Sequence, residues 1–211
     1  MCAVPSLFDN VDGMQAIINF IREMDKLKGV ERKTKPLDMA RFENSAEHSW
    51  QLAVQALSLS RFAAEPVDLL RVIKMLLLHD IGEIDTGDTF VYAAEEREQS
   101  KAAEQRAVRR ICAILPNELN AEFVALWEEF EAAKTPEAQF AHAMDRSIPI
   151  ILNLANNGQS WRENGIRHEQ VVRRNGPPVQ AGCPALWAYL KEKLDEAQNN
   201  GWFGAANQLS A

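Results

Sequence analysis

The chain has 211 residues, 46% of them hydrophobic and 25% charged, with a formal net charge of −7. Such a length and mixture suit one globular domain with its own core, and the acidic balance lacks the basic footprint that nonspecific nucleic-acid binding needs. The three cysteines, Cys2, Cys112 and Cys183, are too few and too widely spaced for a disulfide framework or a CxxC zinc motif; with no basic-then-apolar leader and no apolar run of about 18 residues, a soluble protein of a reducing, cytoplasmic compartment is expected.

Val11, Met14, Ile17, Ile18, Ile21, Met24 and Leu27 recur at helical spacing, which predicts a helix over 11–28 capped by Asp9 or Asn10. GVERKTKPLDMARFEN then breaks the periodicity, is rich in cations and reads as a loop. Asn44 or Ser45 can cap the next helix, SAEHSWQLAVQALSLSRFA, which runs to about residue 64. Pro66 opens a third helix, predicted as one continuous buried rod over 67–84, and residues 85–94 read as an acidic loop. Helices follow over 95–115 and 117–133. Thr135-Pro136 caps another that reaches about residue 156, where Asn157-Gly158 stops it. Two shorter helices are expected over 166–174 and 184–199, and the tail from Gly201 is expected to be loosely held. Almost nothing alternates with period two. The prediction is all-α, one domain over 1–211 with its core at about 12–200, and seven to nine helices.

The segment MLLLHDIGEIDTGDT drives an oily helix into His79-Asp80, followed by Glu83, Asp85 and Asp88. His48 lies in the first turns of the second helix, and Asp145 lies within AHAMDRSIPII. Imidazoles and carboxylates on otherwise core-like helices suit a first-row divalent metal, and a metal offsets the penalty of several kcal/mol for burying a carboxylate. Taken singly, His48 is more often a satisfied histidine and Asp145 a partner of Arg146; the signal is the combination.

That combination resembles the HD-domain superfamily of metal-dependent phosphohydrolases, through His48 in ENSAEHSW, His79-Asp80 in LLLHDIGE and Asp145 in AMDRS. It is more similar to the branch of bacterial 5′-deoxynucleotidases and related small eukaryotic proteins. There the pair reads HDxxE with a further aspartate, as Glu83 and Asp88 do in HDIGEIDTGD. The resemblance spans about residues 12–200. It implies one divalent cation (cobalt, manganese or magnesium, with iron or zinc as alternatives) held by His48, His79, Asp80 and Asp145. The expected reaction is phosphate release from nucleoside 5′-monophosphates by attack of a metal-activated water. Glu83, three residues after Asp80, is the first candidate for general acid/base work. Asp88 is the second, to orient water or bind the sugar.

Phosphate needs cations, and the loop offers Arg32, Lys33, Lys35 and Arg41. Arg32 matches the branch's phosphate-contacting arginine. The bacterial enzymes follow that arginine with tryptophan, but this chain has Lys33, which leaves ribose against deoxyribose open. Arg41 could instead orient acidic site residues. Dinuclear relatives, including di-iron oxygenases, recruit extra histidines before the last aspartate; this chain has only His142 there, and that residue reads as packed or surface. His168 reads as structural, Asp85 as solvated or a helix-end residue, and the five tryptophans as core or interface. Phe90 and Tyr92 are weaker candidates for stacking on a base, and Ser49 and Ser147 lack triad partners. Hydrolysis of guanosine tetraphosphate or nucleoside triphosphates stays as an alternative within the enzyme class, although the relatives that do it usually carry longer insertions or extra domains, for which the chain has little room. The alternatives carried forward are another phosphoester hydrolase of the superfamily and a metal-stabilised, non-catalytic helical binding module. A homodimer is expected by analogy.

Overall fold

Ten α-helical segments and two 3-10 turns follow one another among the described residues, and the sheet-like feature among them is a single antiparallel bridge, Glu31 to Asn44. The computed structural model describes residues 11–37, 39–88 and 97–204. In chain order the helices are α1 (Val11–Met24), α2 (Ser45–Leu59), α3 (Leu69–Leu78), α4 (Glu83–Thr86), α5 (Arg97–Cys112), α6 (Asn117–Ala132), α7 (Pro136–Ala155), α8 (Gln159–Glu163), α9 (His168–Gly182) and α10 (Pro184–Asn199). The 3-10 turns, Asp25–Gly29 and Ser60–Phe62, follow α1 and α2. Eight helices have ten residues or more, within the predicted number.

α7 is the axis of the molecule. Its first turn starts as the sequence indicates: the Thr135 side chain accepts from the Ala138 N–H, and Pro136 occupies the first position, where a missing N–H costs nothing. One side buries Phe140, Ala141, Met144 and Ile148 in a core shared with Leu52 and Ala56 of α2, Val72, Met75 and Leu76 of α3, Ile111 of α5 and Phe130 of α6. The other side presents Ile150 to a second cluster, with Trp161, Val171, Val179, Leu190, Leu194 and Phe203. A helix apolar on most of its circumference must be covered on both sides, so a polar residue such as Asp145 at its middle lies inside the protein. α9 crosses α7 so closely that a Cβ at Gly182 would run into the Gln139 carbonyl. Gly158, at φ 71°, ends the α7 segment as expected.

Three expectations need correction. The continuous helix over 67–84 is broken. Asp68, not Pro66, caps α3, accepting from the Leu70 and Arg71 N–H groups, and α3 ends at Leu78. The His79 carbonyl, which a continuing helix would offer to the Glu83 N–H, instead accepts the Trp127 indole N–H at 3.0 Å. The Glu83 N–H turns to the Asp80 carbonyl at 3.0 Å. A tertiary hydrogen bond therefore sets the break. The helix expected over 166–174 extends to Gly182 and contains Pro177 and Pro178; packing on α7 and α10 outweighs the local breaker signal. The tail is anchored at its start, because Phe203 is buried and stacks on Trp161 at 4.4 Å between ring centroids. Residues 205–211, like Phe90 and Tyr92, lie outside the described residues. Among the described residues no helix is long and apolar enough to cross a membrane.

Candidate metal centre

Asn44 caps α2. Its side chain accepts from the Glu47 N–H, and the Glu47 carboxylate accepts from the Asn44 N–H, a reciprocal pair that fixes the first turn. His48 follows one residue later with its side chain fully buried. His79 leaves the end of α3, Asp80 sits in the turn after it, and Asp145 points inward from α7. His48, His79 and Asp145 each offer a ligand atom within 4.8 Å of the others. The Nε2 atom of His48 lies 3.2 Å from Asp145 Oδ1, and that of His79 lies 3.9 Å from the same oxygen and 3.0 Å from Asp80 Oδ2.

The residues fit a divalent ion. His79 donates from Nδ1 to the Leu76 carbonyl at 2.9 Å, which leaves Nε2 as the atom turned to the centre, free to ligate once it has no proton. That Nε2 is buried, close to two carboxylates and without a hydrogen-bond partner. Two imidazoles with two carboxylates form the mixed nitrogen–oxygen set that manganese, iron, cobalt or zinc accept.

Short backbone pairing carries one cation to this cluster. The Arg32 N–H bonds the Glu43 carbonyl at 2.9 Å, the Glu43 N–H bonds the Thr34 carbonyl at 2.9 Å, and the Ser45 N–H bonds the Val30 carbonyl at 3.0 Å. Arg32 then donates from Nη1 to Asp80 Oδ2 at 2.8 Å and stands 3.6 Å from Glu83 Oε1. Burial alone would weaken its guanidinium's hold on the proton, but Asp80, Glu83, Asp88 and Asp145 together raise its pKa. Asp80 is held well below the usual carboxylate range: burial opposes this, while His79 and Arg32 outweigh burial. Asp145 is depressed likewise, against burial, by Arg146 and His48. His79 moves the other way, to about 9, because Asp80 and Asp145 overcome the effect of burial.

Glu83 opens α4 and is buried. Burial and the neighbouring Asp80 push its carboxyl up to about 9, against the opposing pull of Arg32. Ser45 Oγ donates to its Oε2 at 2.6 Å. Asp88 is half-buried beside it and is raised by burial and by Asp80, against the pull of Arg32. The structure thus places Glu83 and Asp88 with the predicted ligands, and the closeness of Glu83 to Asp80 comes from a tight turn rather than one helical face. The other three loop cations lie elsewhere, Lys35 pairing with Glu163 at 2.9 Å. Lys33 is exposed, 5.8 Å over the Phe42 ring, and Arg41 pairs with Glu47 at 2.7 Å.

His142 is packed, donating to the Phe130 carbonyl at 2.8 Å and stacking on that ring. His168 pairs with Asp195 at 3.1 Å, and Asp85 with Arg110 at 2.6 Å. Of the tryptophans read as core or interface, Trp50 is not in the core, being 66% exposed. Sequence reasoning gave Glu43, Ser45 and Trp127 no role in the site. Glu43 and Ser45 flank the cap of α2 within the quoted motif, but no periodicity marks them; Trp127 reaches the site from α6 through one indole N–H.

A family model described as HD domain matches residues 24–187. A crystal structure described as a predicted metal-dependent phosphohydrolase from Magnetospirillum magnetotacticum MS-1 is similar with a TM-score of 0.86 and 39% identity, over 92% of this chain and 100% of that one. The human protein 5′-deoxynucleotidase HDDC2 is 27% identical over 152 residues, 72% of this chain and 73% of the relative. An HD-domain phosphohydrolase of Listeria innocua shares the fold at a TM-score of 0.66 and 19% identity, over 87% of this chain and 90% of its own. With the family model matched over most of its length, and the motif's histidine and histidine–aspartate pair converging on one centre, the chain belongs to the HD-domain family.

Proposed function

We propose that the protein is a metal-dependent phosphohydrolase that releases phosphate from (deoxy)nucleoside 5′-monophosphates. The observation that carries the reading is the convergence of His48, His79 and Asp145 on one point, with Asp80 and Glu83 beside it. The names of the similar proteins support the same reaction class.

His48, His79, Asp80 and Asp145 hold the ion. When bound, a divalent ion polarises the phosphoryl group and supplies a nucleophile at neutral pH. Arg32 faces the substrate phosphate from the same cluster. Glu83, whose carboxyl burial and Asp80 push up, is placed to give a proton to the 5′-oxygen as the phosphorus–oxygen bond breaks. Asp88 orients the attacking water or the sugar. Lys33, exposed over the Phe42 ring, stays outside the cluster, and Arg41 acts as a clamp on Glu47 that steadies the first turn of α2. Cobalt, manganese or magnesium is the first choice of metal, with iron or zinc as the alternatives. The whole chain forms one domain of the cytoplasm, in keeping with free, buried Cys112 and Cys183. The exposed Trp50, Val54 and Leu57 of α2, with Leu70 and Leu77 of the adjoining α3, support a homodimer; a monomer in light scattering would contradict that part.

The test is phosphate release from a panel of ribo- and deoxyribonucleoside 5′-monophosphates by metal-stripped protein reloaded with cobalt, manganese, magnesium or zinc. Release is expected only with metal, and its loss in Asp80→Ala is expected. No release with any metal, from folded protein that binds one ion, would favour the non-catalytic binding module. The panel also settles the sugar preference, since Lys33 replaces the tryptophan of the bacterial enzymes.

A further inference from the structure

The two histidines of the centre are supported differently. His79 has Nδ1 tied to the Leu76 carbonyl, so its Nε2 faces the carboxylates. His48 turns Nε2 to the same point, 3.2 Å from Asp145 Oδ1, but its Nδ1 is buried with no hydrogen-bond partner. Opposite that Nδ1, at 3.6 Å, is Glu43 Oε1, also buried and also without a hydrogen-bond partner. A donor position and an acceptor, each cut off from water, therefore face one another across a gap a few tenths of an ångström longer than a hydrogen bond.

We propose that Glu43 is a positioning residue of the metal centre: its carboxylate accepts the Nδ1–H of His48 and so fixes the tautomer whose Nε2 lone pair faces the ion. The proposal rests on reading the centre as a metal site. Ligation requires a neutral ring with one free nitrogen, and the group behind the other nitrogen decides which one is free. For His79 that group is a helix carbonyl. For His48 the group in place is Glu43.

The backbone makes this placement stiff. Glu43 directly precedes the cap of α2, and its N–H and carbonyl are both bonded to the 32–34 segment. Its side chain is 2% exposed. Arg32 stands 3.6 Å from Glu43 Oε1 through Nε and 2.8 Å from Asp80 Oδ2 through Nη1. One guanidinium thus links the carboxylate behind His48 to the carboxylate beside His79. A carboxylate in that outer position orients the ring and strengthens it as a ligand, and its removal typically weakens metal affinity about 10–100-fold.

Two measurements on the full chain test the proposal: Co2+ titration against a competing chelator, and 15N NMR of the His48 ring in the Zn2+-loaded protein. Glu43→Ala is expected to weaken Co2+ binding about 10–100-fold. Glu43→Gln is expected to fall between that variant and wild type, because its amide oxygen can still accept the Nδ1–H. In the wild type His48 should carry its proton on Nδ1, with slow solvent exchange, and the alanine variant should lose that signature. Should Glu43→Ala fail to fold, the near-isosteric glutamine variant carries the test, with its metal-free melting temperature as the control for fold. Wild-type Co2+ affinity in both variants, or a His48 proton on Nε2 in the wild type, would overturn the proposal. Failure of the wild type to bind any Co2+ would instead overturn the metal reading itself, and the role of Glu43 with it.

Discussion

Glu83→Gln is expected to lower kcat on nucleoside monophosphates by about 10²–10⁴-fold, the usual contribution of a positioned acid or base, while metal binding stays near wild type. Glutamine keeps the shape of the side chain and can still accept from Ser45 Oγ, so the buried turn that starts α4 has no reason to unfold. What it lacks is a proton to give. Burial and Asp80 favour the protonated carboxyl at Glu83, which is the form an acid for the departing 5′-oxygen needs. The loss should fall on kcat rather than KM, because the proton moves only as the bond breaks. It should also depend on the leaving group. p-Nitrophenolate departs without a proton, so the variant's deficit on p-nitrophenyl phosphate should be at least tenfold smaller than on a nucleotide. Equal deficits on the two substrates would remove Glu83 from the role of acid.

Arg32→Met is expected to destabilise the metal-free protein by about 3–5 kcal/mol, the cost of breaking a buried ion pair by removing one partner. Methionine fills much of the space of the arginine stem but leaves Asp80, Glu83 and Glu43 facing one another without the guanidinium that reaches all three. Saturating Mn2+ should restore part of the stability, since the ion neutralises Asp80 and binds only the folded state. Urea unfolding in chelator and in Mn2+ measures both numbers. An Arg32→Met protein as stable as wild type in chelator would mean that Arg32 does not hold the acids together.

The fold was legible where local chemistry decides it. Thr135-Pro136 and Asn44 start their helices as their side chains dictate, and Asn157-Gly158 ends one. The all-α class follows from periodicity alone. The break after Leu78 was not legible, because it depends on the Trp127 indole taking the His79 carbonyl, and those residues lie 48 positions apart. The passage of α9 through Pro177 and Pro178 was hidden for the same reason: tertiary packing outweighs a local breaker.

The centre was legible because histidines and acids stand out against apolar helices. His48, His79, Asp80 and Asp145, drawn from three separate stretches, lie together in the structure, with Glu83 and Asp88 beside them. Loop cations are less readable. Lys33 and Arg41 have the same charge as Arg32, but the backbone pairing of residues 30–34 with 43–45 turns Arg32 inward. Glu43 was hidden because its importance comes from facing His48 Nδ1, a relation that spacing along a loop does not encode.

The most direct test of a single metal centre is anomalous diffraction from crystals grown with Mn2+ or Co2+, recorded on both sides of the metal's absorption edge. One strong peak is expected per chain, within coordination distance of His48 Nε2, His79 Nε2, Asp80 and Asp145. Loss of that peak is expected in Asp145→Ala crystals. A peak elsewhere on the chain, two peaks in the centre, or no peak from protein that binds the ion in solution would contradict the account.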